Sequence, residues 1–172
     1  MKFKIVFLIA WSSVLIALDQ LTKIYVHTHF QLHESVPVLE PIFNLTYVRN
    51  FGAAFGFLAE SHPTFRKIFF MIIPPLAVII ILSILKTVSE KDKWQIFALS
   101  SIFGGAIGNY IDRLRFGYVI DFLDFHYLQF VWPAFNIADS AIVCGVCILM
   151  FQMFFEKKST TSQTATTTNI PS

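Results

Sequence analysis

The sequence predicts a membrane α-helical fold with four transmembrane helices. Of the 172 residues, 55% are hydrophobic and only 14% are charged, and the mean hydropathy is +0.64. A soluble domain of this size carries far more charge. The apolar residues are gathered into four long stretches, each close to the roughly 20 residues that a helix needs to cross a bilayer. We therefore expect an integral membrane protein.

Composition and spacing argue against several other kinds of site. The formal net charge is only +2 and the basic residues are scattered along the chain, so we expect no nucleic-acid binding. Cys144 and Cys147 form a C-x-x-C inside an apolar helical run, where space-filling side chains on one helix face are the simpler interpretation. His27, His29 and His33 have no matching set of Cys, Asp or Glu. We expect no metal and no cofactor.

The first predicted span covers about residues 5–26. Lys2 and Lys4 precede its apolar run, as in a secretory signal, but no small-x-small cleavage site follows, so we expect a retained helix. Asp19 and Lys23 lie near its end at i and i+4, the spacing at which opposite charges pair on one helix face. Such a pair either takes part in chemistry or only neutralises itself, and the sequence leaves both readings open.

The loop after the first span predicts a small extramembrane β-rich piece. Turn residues are frequent there, and apolar and polar residues alternate over 36–39 and 43–48, which is typical of strands. The second span follows at about 66–86. Pro74 and Pro75 lie near its middle and predict a kink.

The third predicted span covers about residues 94–111. Its glycines predict a close approach to other helices. They are Gly104, Gly105 and Gly108. The span ends on an amide, a carboxylate and a guanidinium, which are Asn109, Asp112 and Arg113.

The stretch after the third span leads into the fourth. The segment 122–132 is apolar but too short to cross a bilayer, so we expect it to lie along the membrane interface. Pro133 predicts a helix start, because proline lacks an N–H and has a helical φ. The fourth span then covers about 134–155. We expect one membrane domain over 1–158 and a disordered Ser/Thr-rich tail over 159–172.

Four spans place both termini on one side of the membrane, and the basic residues indicate which side. Lysines predominate on the terminal side, namely Lys2, Lys4, Lys86, Lys91, Lys93, Lys157 and Lys158. The opposite loops hold Arg49, Arg113 and Arg115, with Arg66 and Lys67 at an edge. The positive-inside rule therefore predicts cytoplasmic termini. The polar ends of the first, third and fourth spans then meet at the outer face.

Asp121 and Asp139 are the strongest candidates for chemistry in this polar region. An ionised side chain near the hydrocarbon costs at least about 2.5 kcal/mol on insertion scales, so acids kept there are functional candidates. Two acids that can meet are candidates for acid/base work. Asn136 precedes Asp139 by three residues, on one face of the predicted helix.

Four sequence blocks resemble the lipoprotein signal peptidase family, the bacterial signal peptidase II. The first is Asp19-Gln-Leu-Thr-Lys23, and the second is Arg49-Asn-Phe-Gly-Ala-Ala-Phe-Gly-Phe-Leu58. The third is Gly104-Gly-Ala-Ile-Gly-Asn-Tyr-Ile-Asp-Arg113, continuing to Gly117 and Val119-Ile-Asp-Phe122, and the fourth is Trp132-Pro-Ala-Phe-Asn-Ile-Ala-Asp139. The blocks come in the right order and span nearly the whole chain before the tail.

The resemblance implies an aspartyl endopeptidase of the bacterial inner membrane, with four helices, a periplasmic β-rich cradle and a periplasmic interfacial segment. Its substrate would be a diacylglyceryl-modified prolipoprotein, cut just before the lipidated cysteine, and its inhibitor the cyclic peptide globomycin. By motif match the catalytic pair is Asp121 and Asp139. The match also implies substrate-binding or supporting residues, which are Asp19, Lys23, Asn50, Gly52, Asn109, Asp112, Arg113 and Asn136. Asp124 adds an acid that belongs to no block.

The chemistry of two close carboxylates agrees with this implication. Such a pair in a low dielectric cannot easily ionise twice, so it shares one proton. The ionised partner can take a proton from water while the protonated one polarises a scissile carbonyl. Two other classes stay open: a proton-coupled carrier, in which buried acids are also typical, and a non-catalytic assembly scaffold.

Overall fold

The computed structural model describes residues 2–52, 58 and 60–167, with side chains described up to 154. Within these ranges the chain forms four helices and four strands. The helices are α1 (Lys2–His29), α2 (Pro63–Thr87), α3 (Lys93–Phe116) and α4 (Ile137–Thr167). The strands are β1 (Ser35–Leu39), β2 (Phe43–Asn50), β3 (Val119–Tyr127) and β4 (Phe130–Val131). The predicted helical architecture is confirmed.

Three helices of the described chain are long and apolar enough to cross a membrane. They are Lys2–His29, Pro63–Thr87 and the Ile137–Phe154 part of α4. α3, predicted as a span over 94–111, does not reach the same hydropathy. Its sequence explains why, because serines, glycines, Asn109 and Asp112 take the places of apolar residues and lie buried. α3 packs against all three other helices.

The glycines of α3 allow the predicted close packing. A Cβ on Gly105 would collide with the backbone carbonyl of Ala138 in α4. A Cβ on Gly108 would lie 2.7 Å from the Asp19 carboxylate of α1. These contacts bring α1 and α4 against the same end of α3, which is the end where the polar residues lie.

The predicted β-rich piece is confirmed in β1 and β2, but the sheet is larger than predicted. β3 and β4 include most of the segment 122–132 that is predicted to lie along the interface, and they extend one antiparallel sheet in the order β1-β2-β3-β4. Gly117, with φ of 79°, ends α3 in the left-handed conformation and turns the chain into β3. β3 then pairs with β2, with Val48 opposite Asp121. The apolar and β-branched residues of β3 suit a strand.

α4 begins four residues later than Pro133, the predicted start. The chain from Pro133 first returns to the sheet, where the Phe135 N–H donates to the Leu123 carbonyl at 3.1 Å. Asn136 then caps the helix, because its Oδ1 accepts the backbone N–H of Asp139 at 2.9 Å. A capping amide fixes the helix start more strongly here than proline does.

α2 and α4 both continue as helices beyond the ends of the predicted spans. α2 stays helical through Pro74 and Pro75, and the kink remains a prediction. α4 continues to Thr167, past the predicted end of the fourth span at 155, and the disorder of the tail over 159–172 stays a prediction. No glycine or proline interrupts this part of the sequence before Pro171. Residues 168–172 lie outside the described ranges.

A buried lysine joins two helices at the end of the molecule opposite the polar cluster. Lys4 of α1 is 6% exposed. Its ammonium donates to three carbonyls where α2 ends, those of Leu85 at 2.8 Å, Lys86 at 2.9 Å and Val88 at 2.6 Å. The C-terminal carbonyls of a helix lack intrahelical partners and attract cations. Lys4 therefore fixes the start of α1 against the end of α2.

Candidate active site

Asp121 lies on β3 and is 2% exposed. Both oxygens of its carboxyl group accept a hydrogen bond from an amide. The Nδ2 of Asn50 donates to Oδ2 at 2.9 Å, and the Nδ2 of Asn136 donates to Oδ1 at 2.6 Å. The sheet positions the first donor, because Asn50 ends β2, the strand paired with β3. The cap of α4 positions the second.

Asp139 is the third residue of α4 and is half-buried. Its Oδ1 accepts the Nδ2 of Asn109 at 2.7 Å. Its backbone N–H donates to Asn136, the same amide that holds Asp121. The two predicted acids, eighteen positions apart in the sequence, are therefore linked through one side chain.

Burial governs the protonation of Asp121. Removal from water, and to a smaller extent the negative charge of Asp139, raise the pKa of Asp121 to about 7. The hydrogen bonds from Asn50 and Asn136 and the charge of Lys23 act in the opposite direction. Desolvation outweighs these effects, so this carboxyl group can hold or release a proton near neutral pH.

A buried ionic cluster lies beside the two acids. The ammonium of Lys23 lies 2.9 Å from the Asp19 carboxylate and 3.0 Å from the Asp112 carboxylate, and all three side chains are almost completely buried. The predicted i,i+4 pair of Asp19 and Lys23 is confirmed. The structure adds Asp112 as a second anion, so the cation is shared between α1 and α3.

Each acid of this cluster also holds a backbone group next to one of the two aspartates. Asp19 Oδ1 accepts the N–H of Ala138 at 2.9 Å, one residue before Asp139. Asp112 Oδ2 accepts the N–H of Ile120 at 3.1 Å, one residue before Asp121. The cluster therefore sets the position of both segments that carry the candidate acids.

Gln20 is a functional candidate that the sequence analysis missed. Its Nε2 donates to Asp112 Oδ1 at 2.8 Å and to the Gly108 carbonyl at 3.2 Å. It therefore joins α1 to α3 beside the ionic cluster. Its place directly after Asp19, inside the first sequence block, was the available signal.

Gly52 and Arg113 are hydrogen-bonded to each other next to Asn50. The Gly52 N–H donates to Asn50 Oδ1 at 2.9 Å, and the Gly52 carbonyl accepts the Arg113 guanidinium at 2.9 Å. The guanidinium also lies 4.4 Å from the centre of the Phe70 ring, a cation–π arrangement. Arg113 thus ties α3 to the chain just before 53–57. That part of the second sequence block lies outside the described residues.

The remaining sequence candidates make contacts other than with the two acids, or none that involves them. Asp124 is three residues beyond Asp121, and its carboxylate lies 3.9 Å from His126. His27 instead bonds the Tyr47 hydroxyl at 2.6 Å. Throughout the described ranges, no group of three His, Cys, Asp or Glu side chains is arranged to hold a metal ion. Cys144 and Cys147 are free thiols exposed on α4.

Sequence comparison connects this arrangement to known proteins. A family model described as Signal peptidase (SPase) II matches residues 11–155. The lipoprotein signal peptidase of Desulforapulum autotrophicum is 46% identical over 146 residues, which cover 85% of this chain and 90% of the relative. The lipoprotein signal peptidase of Syntrophus aciditrophicus is 45% identical over 158 residues, covering 92% of this chain and 98% of the relative.

Structural comparison finds two solved structures with a similar fold. A structure described as a bacterial membrane enzyme, determined by the in meso method at 2.3 Å resolution, superimposes with a TM-score of 0.81 at 30% identity. The match covers 88% of this chain and 90% of that one. A second bacterial membrane enzyme, at 1.9 Å resolution, gives a TM-score of 0.77 at 29% identity over 85% of this chain and 91% of that one. With the family model matching residues 11–155 and relatives up to 46% identical, this chain belongs to the signal peptidase II family of membrane proteases.

Proposed function

We propose that this peptidase is an intramembrane aspartyl endopeptidase with Asp121 and Asp139 as its catalytic pair. It removes the signal peptide from diacylglyceryl-modified prolipoproteins and cuts just before the lipidated cysteine. The observation that carries the proposal is the link through Asn136, which bonds the Asp121 carboxyl group and caps the helix turn of Asp139. Burial that raises the pKa of Asp121 to about 7 supports a proton-sharing pair.

The two acids divide the hydrolytic chemistry between them. One ionised carboxylate removes a proton from a water molecule as the water oxygen attacks the scissile carbonyl carbon. The protonated partner donates a hydrogen bond to the carbonyl oxygen and stabilises the charge that develops there. The C–N bond then breaks, and the leaving nitrogen takes up the proton that came from the water. No covalent intermediate with the protein is needed.

The neighbouring polar residues hold the pair and the peptide. Asn50, Asn109 and Asn136 donate amide hydrogens to the acids. Gly52 and Arg113 bind each other next to Asn50, and we place the substrate peptide beside them. The ionic cluster of Asp19, Lys23 and Asp112 supports the two catalytic segments from the buried side.

We propose that α3 is a fourth transmembrane helix and that residues 1–158 form one domain. α3 has 24 residues, about 36 Å at roughly 1.5 Å per residue, and its polar face is covered by α1 and α4. The termini would be cytoplasmic by the lysine asymmetry. The acids would then lie near the periplasmic face of the inner membrane, with the sheet as a periplasmic cradle.

Access from the bilayer fits a lipidated substrate. The acyl chains of the diacylglyceryl group would stay in the membrane, so the peptide would reach the acids by lateral diffusion with its orientation already restricted. Globomycin would bind at the same acids, which offer a hydrogen-bond donor and an acceptor to a substrate-like group.

The direct test is to incubate the purified protein with a diacylglyceryl-modified precursor and to measure the loss of the signal peptide by mass spectrometry. We expect a single cut before the modified cysteine. The Asp121→Asn variant is the matched control and should be inactive. Intact precursor after incubation with folded wild-type protein would contradict the proposal. Proton flux into proteoliposomes without cleavage would indicate the carrier.

A further inference from the structure

Asn109 lies between a buried cation and a catalytic carboxylate. Its Oδ1 accepts a hydrogen bond from the Lys23 ammonium at 2.8 Å. Its Nδ2 donates to Asp139 Oδ1 at 2.7 Å. Asn109 is 7% exposed and Lys23 is 1% exposed. The side chains therefore form a short buried chain of hydrogen bonds from Lys23 to Asp139.

The ammonium determines which way this amide points. A lysine ammonium has three donors and no acceptor, so only the carbonyl oxygen of Asn109 can face it. The NH₂ group must then face Asp139. A rotated amide would place its NH₂ group against the ammonium and its oxygen against a carboxylate, leaving both contacts repulsive.

The other two amides of the site follow the same rule with different partners. The Asn136 oxygen is occupied by the backbone N–H of Asp139, and the Asn50 oxygen by that of Gly52. Backbone N–H groups are also donors only. Asn109 differs because its orientation depends on a side chain, which a single substitution can remove.

Lys23 is itself held in place from two sides. Asp19 of α1 and Asp112 of α3 lie within 3.0 Å of its ammonium. Two anions and an amide oxygen complete the three hydrogen bonds that an ammonium can donate. The lysine therefore has one arrangement in which every donor is used, and that arrangement includes Asn109.

We propose that Lys23 is a positioning residue that keeps the Asn109 NH₂ group directed at Asp139, and that it makes no contact with substrate. The proposal rests on the catalytic role proposed for Asp139. Without the ammonium, the amide can rotate and present its oxygen, which stabilises a protonated carboxyl group instead of an ionised one. The acid pair would then hold the wrong number of protons for catalysis.

The test is a double-mutant cycle on cleavage of the diacylglyceryl-modified precursor. The variants are Lys23→Met, Asn109→Ala and the two combined, and kcat and KM are measured separately. We expect each single change to lower kcat by about 10- to 100-fold with KM within about twofold. The kcat of the double variant should be no more than about twofold below that of the less active single variant, because both changes remove the same interaction.

Lys4→Met is the matched control for loss of a buried lysine. Lys4 is also buried and also donates to three partners, but these lie at the opposite end of the helices. We expect it to lower the melting temperature and to leave kcat per folded molecule within about twofold of wild type. A drop in kcat equal to that of Lys23→Met would mean that any lost buried lysine impairs the enzyme, and would overturn the proposal.

Two further outcomes would overturn it. Multiplicative effects of Lys23→Met and Asn109→Ala on kcat would show that the lysine acts by another route, and a change confined to KM would indicate substrate contact.

If the Lys23→Met variant does not fold, the cycle is repeated in an Asp112→Asn background. That second substitution removes one of the two anions that Lys23→Met leaves unpaired. Failure to fold there as well would assign Lys23 to stability alone. Activity retained by Asp139→Asn would instead contradict the proposed function.

Discussion

The Asp19 carboxylate accepts the backbone N–H of Ala138 at 2.9 Å, across 119 positions of the sequence. The first helix thereby holds the residue directly before Asp139. Gly108 makes this contact possible, because a Cβ at that position would lie 2.7 Å from Asp19 Oδ2. The position of Asp139, a proposed catalytic acid, therefore depends on the absence of a side chain on a third helix.

Gly108→Ala should displace Asp19 and impair both stability and cleavage. Overpacking of this kind costs about 1–3 kcal/mol, and the shift reaches Asp139 through Ala138. Melting temperature and kcat should both fall. Gly104→Ala is the matched control, since its Cβ would meet Ser12 at 3.2 Å and Leu15 at 3.3 Å, away from the acids. Equal loss of kcat in the two variants would contradict this account.

Asp121→Asn and Asp139→Asn should each abolish most cleavage. The double variant should be scarcely worse than either, because residues that work as one unit are strongly non-additive. Initial rates are compared after the fold of each detergent-extracted variant has been checked. Asp124→Asn should keep most activity, since Asp124 makes its ionic contact with His126. An inactive Asp124→Asn beside an active Asp121→Asn would mean that the pair is misassigned.

Cleavage should fall as the pH rises above about 7. The pKa of Asp121 is raised to about 7 by burial and by the charge of Asp139, so the last proton of the pair leaves in this range. With one proton required, kcat/KM at pH 8 should be about tenfold below its value at pH 6. The profile is measured with a non-titrating precursor, and Asp124→Asn should leave it unchanged. A rate that is constant from pH 6 to 9 would exclude this proton as a catalytic requirement.

Cleavage should require the diacylglyceryl group and should tolerate chelators. In the proposed mode of binding, the acyl chains position the peptide by partition into the bilayer, so an unmodified precursor should be cut at least about 100-fold more slowly. EDTA should leave the cleavage rate unchanged, since His27, one of the three candidate metal ligands, is hydrogen-bonded to the Tyr47 hydroxyl. Activity lost in EDTA and restored by zinc would contradict this expectation.

Cysteine labelling should place the two ends of the helices on opposite sides of the membrane. In a Cys144→Ser/Cys147→Ser background, Leu32→Cys should react with an impermeant maleimide in spheroplasts of intact inner membrane. Ser89→Cys should react only after lysis, because the lysine asymmetry predicts a cytoplasmic position for that loop. Labelling of Ser89→Cys before lysis would reverse the proposed orientation.

The sequence predicted the grouping of the polar residues better than their contacts. Asp19, Asp112 and Asp139 were placed at one end of the helices because each lies at a predictable depth in an apolar span. The pair of Asp19 and Lys23 followed from helical periodicity and is confirmed. Such patterns are local, so they can be seen in a single sequence.

The contacts that fix the acids could not be predicted in this way. The backbone N–H groups of Ile120 and Ala138 donate to Asp112 and Asp19. Every residue except proline has such a group, so the residue type does not indicate which one is used. The strand character of β3 was hidden because a short apolar run suits a strand or an interfacial segment equally well. Its partner β2 lies some seventy positions earlier.

The lysine that joins α1 to the end of α2 bears on how the protein is expressed and purified. Lys4 lies only three residues after Met1, and it supplies the donors for three carbonyls. Leaving such groups unpaired costs about 1–3 kcal/mol each. We therefore expect any fusion that displaces Lys4 to lower the melting temperature of the purified protein, because these carbonyls then lose their donors.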